Sequence, residues 1–126
     1  MPNITLPHNH GHNEDYLIQH MPSVDECTDA AGLFSMLGDP SRLRIFWLLC
    51  HTEECVSNIA AAVEMSTSAA SHHLKILQAN QFVVSRRIGK EIHYTLAANN
   101  RAAFAHSMIE SYFHKECPLA HCHQDE

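Results

Sequence analysis

The most chemically suggestive feature of this chain is its supply of metal-binding side chains. Twelve histidines occur in 126 residues, more than the lysines and arginines together, and five cysteines accompany them. Imidazole is the commonest metal ligand in proteins, and thiolates beside imidazoles suit Zn(II), Cd(II), Co(II) or Ni(II). Because five is an odd number and cytosolic thiols stay reduced, we expect ligation or redox sensing rather than a disulfide framework.

The C-terminal part of the chain holds the densest ligand groups. His106, Glu110 and His114 recur every four residues, which places them on one face of a helix, where neighbours can clamp one ion. The alternative for this stripe is a solvated helix face. The terminal stretch CPLAHCHQDE holds four more ligands, for which the alternative is a tail with adventitious affinity: Cys117, His121, Cys122 and His123.

The elements that must position these ligands follow from the hydrophobic pattern. Residues 1–22 are polar, rich in histidine and interrupted by prolines, so we interpret them as a flexible arm. Residues 23–116 have the periodicity of a mainly α domain with a small β-hairpin, and residues 117–126 form a Cys/His-rich tail. The pattern predicts the order α-α-α-α-β-β-α, with helices that begin near residues 25, 40, 56, 66 and 99 and a hairpin at 82–96. Asp39 suits the N-cap of the second helix, with Pro40 at its first position, Gly89 and Lys90 suit the turn of the hairpin, and the last helix runs to about Lys115.

Two of these helices and the hairpin predict a DNA-binding element. A short helix, a tight turn, a second helix and a hairpin have the order of a helix-turn-helix with a wing. The second helix begins with small hydroxyl residues that can approach base edges, although capping alone would also explain them. Basic residues on the hairpin suit phosphates, although such residues are often only solvated. The candidate contacts are Thr67, Ser68, Ser71, His72, His73, Lys75, Arg86, Arg87 and Lys90.

The charge distribution agrees with this prediction, although the net charge of the chain is −6. Residues 40–101 contain seven lysines and arginines against four glutamates, a balance of +3, so the two flanks carry −9. The middle of the chain can therefore meet phosphates. No residues pair a nucleophile with an oriented base, and no apolar run approaches the roughly 20 residues of a membrane span. We predict neither an enzyme nor a membrane protein.

Four stretches of the chain carry a family resemblance: LGDPSRLRIFWLL, EECVSNIA, STSAASHHLKIL and VVSRRIGKEIHYTL. Over about residues 26–115 they resemble the ArsR/SmtB family of bacterial metal-sensing repressors. The resemblance implies a winged-helix homodimer whose first and last helices form the interface. It also implies repression of an efflux or detoxification operon that an inducer relieves. Carried over by position, Ser68, Ser71, His72 and His73 belong to the DNA-reading helix and Arg87 to the wing.

The metal sites familiar in that family are incomplete in this chain. One uses a Cys-x-Cys pair, and here Cys55 lacks the second thiol because Ser57 takes its place. Cys27 or the histidine-rich arm would have to supply partners, and a structural role for Cys55 is the alternative. Another site spans the last helix, where only His114 survives among its four ligand positions. The predicted site therefore lies in the last helix and the tails.

We predict a cytoplasmic, homodimeric repressor that leaves double-stranded operator DNA when a divalent metal binds. Zinc and nickel are the first candidates, and cobalt and cadmium follow. Two alternatives stay open. A redox or persulfide sensor on the same fold would use a cysteine pair, either Cys50 with Cys55 or Cys27 with Cys117. A metal-storage or chaperone module would explain the flanks but would leave the serine-rich helix and the basic hairpin without a role.

Overall fold

The computed structural model describes residues 4–113, in which six helices and three strands follow one another. The described residues fall into two compact units, one ending at Gly32 and the other beginning at Leu33. The predicted winged-helix order is present, with an additional helix in the arm and an additional short strand. The elements are α1 (Glu14–His20), α2 (Val24–Leu37), α3 (Pro40–His51), β1 (Glu54–Cys55), α4 (Val56–Ala62), α5 (Thr67–Ala79), β2 (Val83–Ile88), β3 (Glu91–Leu96) and α6 (Asn100–Phe113).

Helix α1 lies in the segment for which the sequence predicts a flexible arm. The Glu14 carboxylate accepts hydrogen bonds from the backbone N–H groups of His10 and His12, at 3.0 and 2.5 Å. The rings of Tyr16 and His20 stack one turn apart, with centroids separated by 4.0 Å. Because α1 buries none of its residues, local contacts such as these stabilise the helix together with its backbone hydrogen bonds. The mobility of the arm stays a prediction.

The break between α2 and α3 follows the predicted capping signals. Helix α2 ends at Leu37, and α3 begins at Pro40 with Asp39 as its N-cap. The Asp39 carboxylate accepts a hydrogen bond of 2.8 Å from the backbone N–H of Arg42, which satisfies one of the free donors at the helix start. Proline at the first helical position has no N–H to leave unpaired.

Helices α4 and α5 form the helix-turn-helix. The Ser66 hydroxyl caps α5 by accepting a hydrogen bond of 3.1 Å from the backbone N–H of Ala69. On α5, Ala70, Leu74 and Leu77 are fully buried, and their spacing places them on one face. This inward face joins a core that α3 supplies with Ile45, Phe46 and Leu49 and β2 with Val83.

The sheet has the strand order β1-β3-β2 with antiparallel pairs. Gly89 adopts a φ of +64° in the predicted turn between β2 and β3, a region that favours glycine. Strand β1 pairs Glu54 with Tyr94 and Cys55 with His93. The sequence did not predict β1, because two residues are too few for strand alternation to be visible.

Helix α6 closes the second unit with Ala102, Ala105 and Ile109 buried. The predicted continuation of this helix to Lys115 and the Cys/His-rich tail lie outside the described residues. Within residues 4–113, no helix has both the length and the apolar character that crossing a bilayer requires.

Candidate metal centre and nucleic-acid interface

Within residues 4–113, one set of three side chains brings metal-ligand atoms together. These are His51, His106 and Glu110, whose ligand atoms all lie within 4.8 Å of one another; we call them the metal centre. The Nε2 atoms of His106 and His51 lie 2.7 and 3.3 Å from the same Glu110 oxygen, Oε1. The shorter contact, from His106, is a hydrogen bond, and the longer one, from His51, has the distance of an ion pair.

Two helices position the metal centre. His106 and Glu110 stand one turn apart on α6, and His51 is the last residue of α3. The side chains of His51, His106 and Glu110 are only 5%, 18% and 16% exposed, so the cluster lies in a partly dehydrated setting. There the attraction between opposite charges is stronger than in water. The ring of His51 also contacts His106 edge-on, with centroids 5.4 Å apart.

The chemistry of these side chains fits a divalent ion. Two imidazole nitrogens and one carboxylate oxygen form a known type of three-residue zinc set, in which a fourth position is free for another ligand. Ligand atoms within 4.8 Å of one another need only small side-chain rotations to reach the distances of about 2.0–2.2 Å at which nitrogen and oxygen bind zinc. The set contains no thiolate, so its donors are harder than those of a cysteine site.

The sequence predicted two of these three ligands. The structure brings His106 and Glu110 together as their four-residue spacing indicates, and their low exposure argues against a solvated stripe. His51 was missed, because it ends an apolar helix and only the packing of α3 on α6 reveals its position. The other predicted C-terminal ligands lie outside the described residues: His114, Cys117, His121, Cys122 and His123.

None of the cysteines within residues 4–113 belongs to the metal centre's ligand set. Cys55 is buried in β1, and the exposed Cys27 directs its Sγ atom at the Pro22 carbonyl oxygen, 3.9 Å away. Burial and the nearby Glu110 carboxylate raise the pKa of the Cys50 thiol far above its ordinary value. Cys50 therefore stays protonated near neutral pH, which disfavours both ligation and redox chemistry.

Helix α5 presents most of the predicted DNA-reading residues to solvent. Thr67, Ser68, His72 and Lys75 are exposed, and Ser71 is half-buried. His73 differs from its neighbour. Its side chain is 16% exposed, and its Nε2 lies 3.9 Å from Asp39 Oδ2 at the start of α3.

The hairpin lies beside α5 and presents its own basic residues. The Gln78 amide donates a hydrogen bond of 2.9 Å to the Ser85 hydroxyl and so ties α5 to β2. Arg87 donates from Nε to the Gly89 carbonyl oxygen at 3.2 Å, and Lys90 is exposed at the turn. The Gln78–Ser85 hydrogen bond therefore fixes α5 relative to β2, whereas the Arg87 contact lies within the hairpin.

Arg86 is engaged differently from the other basic residues of the hairpin. Its Nε and Nη2 atoms donate to the two carboxylate oxygens of Glu53, at 2.7 and 2.5 Å. These hydrogen bonds lower the pKa of Glu53 and raise that of Arg86. A fork-on-fork pair of this type is stronger and more directional than a single contact.

Several known proteins are similar to this chain in sequence. The family profile described as "Bacterial regulatory protein, arsR family" matches residues 39–83. The chain is 45% identical over 78 residues to the transcriptional repressor SmtB homolog of Synechocystis, which covers 62% of this chain and 59% of that protein. It is 38% identical to the CadC homolog of Staphylococcus aureus, a cadmium resistance transcriptional regulatory protein, over 54% of this chain and 57% of that protein.

A third relative and a solved structure extend the comparison. The repressor SmtB of Mycobacterium tuberculosis is 34% identical over 74% of this chain and 67% of its own length. The crystal structure of NolR from Sinorhizobium fredii has a TM-score of 0.66 and 28% identity, and covers 76% of this chain and all of that one. The chain spans less than two thirds of the first two relatives. Because the relatives are transcriptional regulators, the prediction of a protein other than an enzyme is confirmed. By its sequence and its winged-helix fold, the chain belongs to the ArsR family of bacterial regulatory proteins.

Proposed function

We propose that this protein is a homodimeric repressor that binds operator DNA and releases it when a divalent metal ion binds His51, His106 and Glu110. The observation that carries the proposal is the convergence of these three ligand atoms within 4.8 Å, in a cluster little exposed to solvent. The relatives that are named as repressors support the DNA-binding part. The proposed place of action is the cytoplasm, where operator DNA is available.

The surface of the second unit supports the proposed DNA contacts. Exposed hydroxyl, imidazole and amine groups on α5 suit base edges and phosphates in a major groove, and the arginines and lysine of the hairpin suit the adjoining backbone. We assign Thr67, Ser68, Ser71, His72 and Lys75 to this surface on α5. His73 lies beside Asp39, and we propose that it supports this surface rather than being one of its exposed contact residues.

Exposed apolar side chains support the proposed homodimer. Phe34 on α2 and Phe104 and Tyr112 on α6 are 58%, 60% and 79% exposed. Large apolar side chains concentrated on two elements mark an interaction surface more often than an ordinary solvated face. Helices α2 and α6 are also the elements for which the family resemblance implies a dimer interface.

The types of ligand atom narrow the choice of metal ion that is proposed as the inducer. Two imidazoles and a carboxylate suit borderline ions such as Zn(II), Ni(II) and Co(II), whereas Cd(II) gains more from thiolates. His114 follows Glu110 by four residues in the sequence, and we propose it as a fourth ligand. Cys117, His121, Cys122 and His123 stay candidates for an additional C-terminal site, and Cys27 and Cys55 for an accessory one.

The proposed switch is a thermodynamic linkage between two ligands. If the metal binds the low-affinity conformation better, it weakens DNA binding by the same free energy by which DNA weakens metal binding. A coupling of about 1–3 kcal/mol changes the affinity by about 5- to 150-fold. Because a metal binds only the neutral form of an imidazole, the response is also expected to weaken as the pH falls and the imidazoles become protonated.

The test is a titration of the full chain on a DNA duplex that the protein has selected from a random pool. We expect zinc or nickel to raise the dissociation constant for this duplex at least fivefold, as fluorescence anisotropy would report. His106→Gln and Glu110→Gln should each abolish the effect, and Glu64→Gln, at an exposed glutamate outside both proposed sites, serves as the control matched to Glu110→Gln. An unchanged dissociation constant with zinc, nickel and cobalt would overturn the proposal.

A further inference from the structure

Glu53 connects the metal centre to the hairpin through a very short piece of chain. It follows His51, the last residue of α3, by two positions, and its carboxylate holds Arg86 on β2 through two hydrogen bonds. The two partners are 33 residues apart in sequence. A metal ligand and a residue that holds the hairpin are therefore almost adjacent in the chain.

The segment between His51 and β1 is short and is held by hydrogen bonds at both ends. Thr52 donates its backbone N–H to the Leu48 carbonyl oxygen at 3.2 Å and so continues the end of α3. On the other side, Glu54 and Cys55 already pair with β3. Two residues span at most about 7 Å, so a shift of His51 relative to the sheet must move Glu53 as well.

Arg86 has a second possible partner in the DNA complex. Its side chain is 67% exposed on the hairpin, where a guanidinium can bind a phosphate with the same two-pronged geometry that it uses for a carboxylate. Arg86 uses Nε and Nη2 for Glu53, so a phosphate that takes this face must displace the carboxylate. At the remaining N–H groups the negative charge of Glu53 repels a phosphate, so the two anions compete for Arg86.

We propose that Glu53 is the positioning residue that couples the metal centre to the hairpin. An ion bound by His51, His106 and Glu110 fixes the end of α3 against α6, and this holds Glu53 where it retains Arg86. Without the ion, the end of α3 is freer to move, and Arg86 is released to a phosphate. The metal thereby favours one of two existing arrangements, as a population shift requires. This inference rests on the proposed function.

The expected size of the effect is modest. Exposed ion pairs typically change an equilibrium by no more than about fivefold, whereas the complete switch spans about 5- to 150-fold. Glu53→Gln should therefore lower the ratio of DNA dissociation constants with and without zinc by up to about fivefold. Part of the switch should survive.

The experiment measures this ratio for the full chain, its Glu53→Gln variant and a matched control. Glu54→Gln removes the same charge one residue away, where the carboxylate binds the Asn58 amide at 2.8 Å rather than an arginine. We expect a lower ratio in Glu53→Gln alone, with the zinc affinity in the absence of DNA unchanged. Circular dichroism melting curves would establish that both variants fold.

A salt series supplies a readout that a purely structural role would not change. Each phosphate contact contributes a slope of about −0.9 to the dependence of log affinity on log salt concentration. In the parent chain, zinc should make this slope shallower by about one contact per protomer. In Glu53→Gln, the slopes with and without zinc should coincide.

The outcomes separate the two proposals. If zinc changes the affinity of the parent chain and Glu53→Gln retains the full ratio and the slope difference, the coupling role is wrong while the proposed function stands. An equal decrease of the ratio in Glu54→Gln would also overturn the coupling role, because the decrease would then reflect the loss of any negative charge in this region. If zinc, nickel and cobalt leave the parent chain's affinity unchanged, both proposals fail.

Discussion

The indole ring of Trp47 lies against the imidazole of His51, with ring centroids 4.6 Å apart and ring planes inclined at 54°. Trp47 stands one helical turn before His51 on α3, and it is the only tryptophan in the chain. A spectroscopic reporter therefore lies against one proposed ligand of the metal centre. Any ion that binds His51 changes the environment of this indole.

We expect Ni(II) or Co(II) to quench the fluorescence of Trp47. The quenching should saturate when one ion is bound per chain. Zinc, which lacks unpaired electrons, should compete with the quenching ion and restore the emission. His106→Gln keeps the contact between Trp47 and His51 but removes a ligand, so its quenching should need much more metal. Equal quenching of the parent chain and this variant would mean that the ion binds elsewhere.

The two adjacent histidines of α5 should behave differently. His72 is exposed on the proposed DNA surface, whereas His73 is half-buried beside Asp39. His72→Ala should weaken binding of the selected duplex and leave the free energy of unfolding nearly unchanged. His73→Ala should lower the free energy of unfolding by about 1 kcal/mol, because it removes packed side-chain atoms. Anisotropy and urea denaturation would measure the two effects, and a reversed pattern would refute the assignment.

Local sequence signals predicted the parts of the fold that local contacts hold. Asp39 and Pro40 start α3 as expected, and Gly89 turns the hairpin where its sequence indicates. The missed features depend on tertiary packing. His51 meets Glu110 only because α3 packs on α6, and the partner of Arg86 lies 33 residues away. No periodicity within one element carries that information, so the metal centre was only partly predictable.

Arg87 should account for one phosphate contact of the proposed complex. It is exposed next to the turn of the hairpin, where its guanidinium donates a hydrogen bond to the nearby Gly89 carbonyl oxygen. Arg87→Ala should weaken binding to all duplexes alike and make the salt slope shallower by about 0.9 for each protomer of the dimer. Arg101→Ala removes an equal charge that lies 5.0 Å from the Phe82 ring centroid and serves as the control. Equal slopes for the Arg87 variant and the parent chain would exclude this contact.

The cysteines should differ in reactivity, which tests the redox alternative. The thiolate is the reactive form, and burial together with Glu110 raises the pKa of Cys50. Iodoacetamide near neutral pH should therefore label the exposed Cys27 rapidly and Cys50 slowly, as mass spectrometry of the peptides would report. In denaturant the two rates should converge. Rapid labelling of Cys50 in the folded chain would support the alternative in which the protein is a thiol-based redox sensor.

The Asp39 cap should make stability depend on pH in the acid range. The hydrogen bond from the Arg42 backbone N–H, with smaller contributions from the nearby charges of His73 and Arg42, lowers the pKa of Asp39 below its ordinary value of 3.8. A carboxyl whose pKa falls on folding stabilises the protein above its unfolded pKa, and this stability is lost as the pH falls through the folded pKa.

Asp39→Asn isolates this charge effect, because asparagine retains an oxygen that can cap α3. The parent chain should be more stable than the variant at about pH 6, and the difference in the free energy of unfolding should shrink below about pH 4. Urea denaturation across this range would measure it. A difference that stays constant down to about pH 2 would mean that the Asp39 charge does not stabilise α3, and that the carboxyl acts only as a hydrogen-bond acceptor.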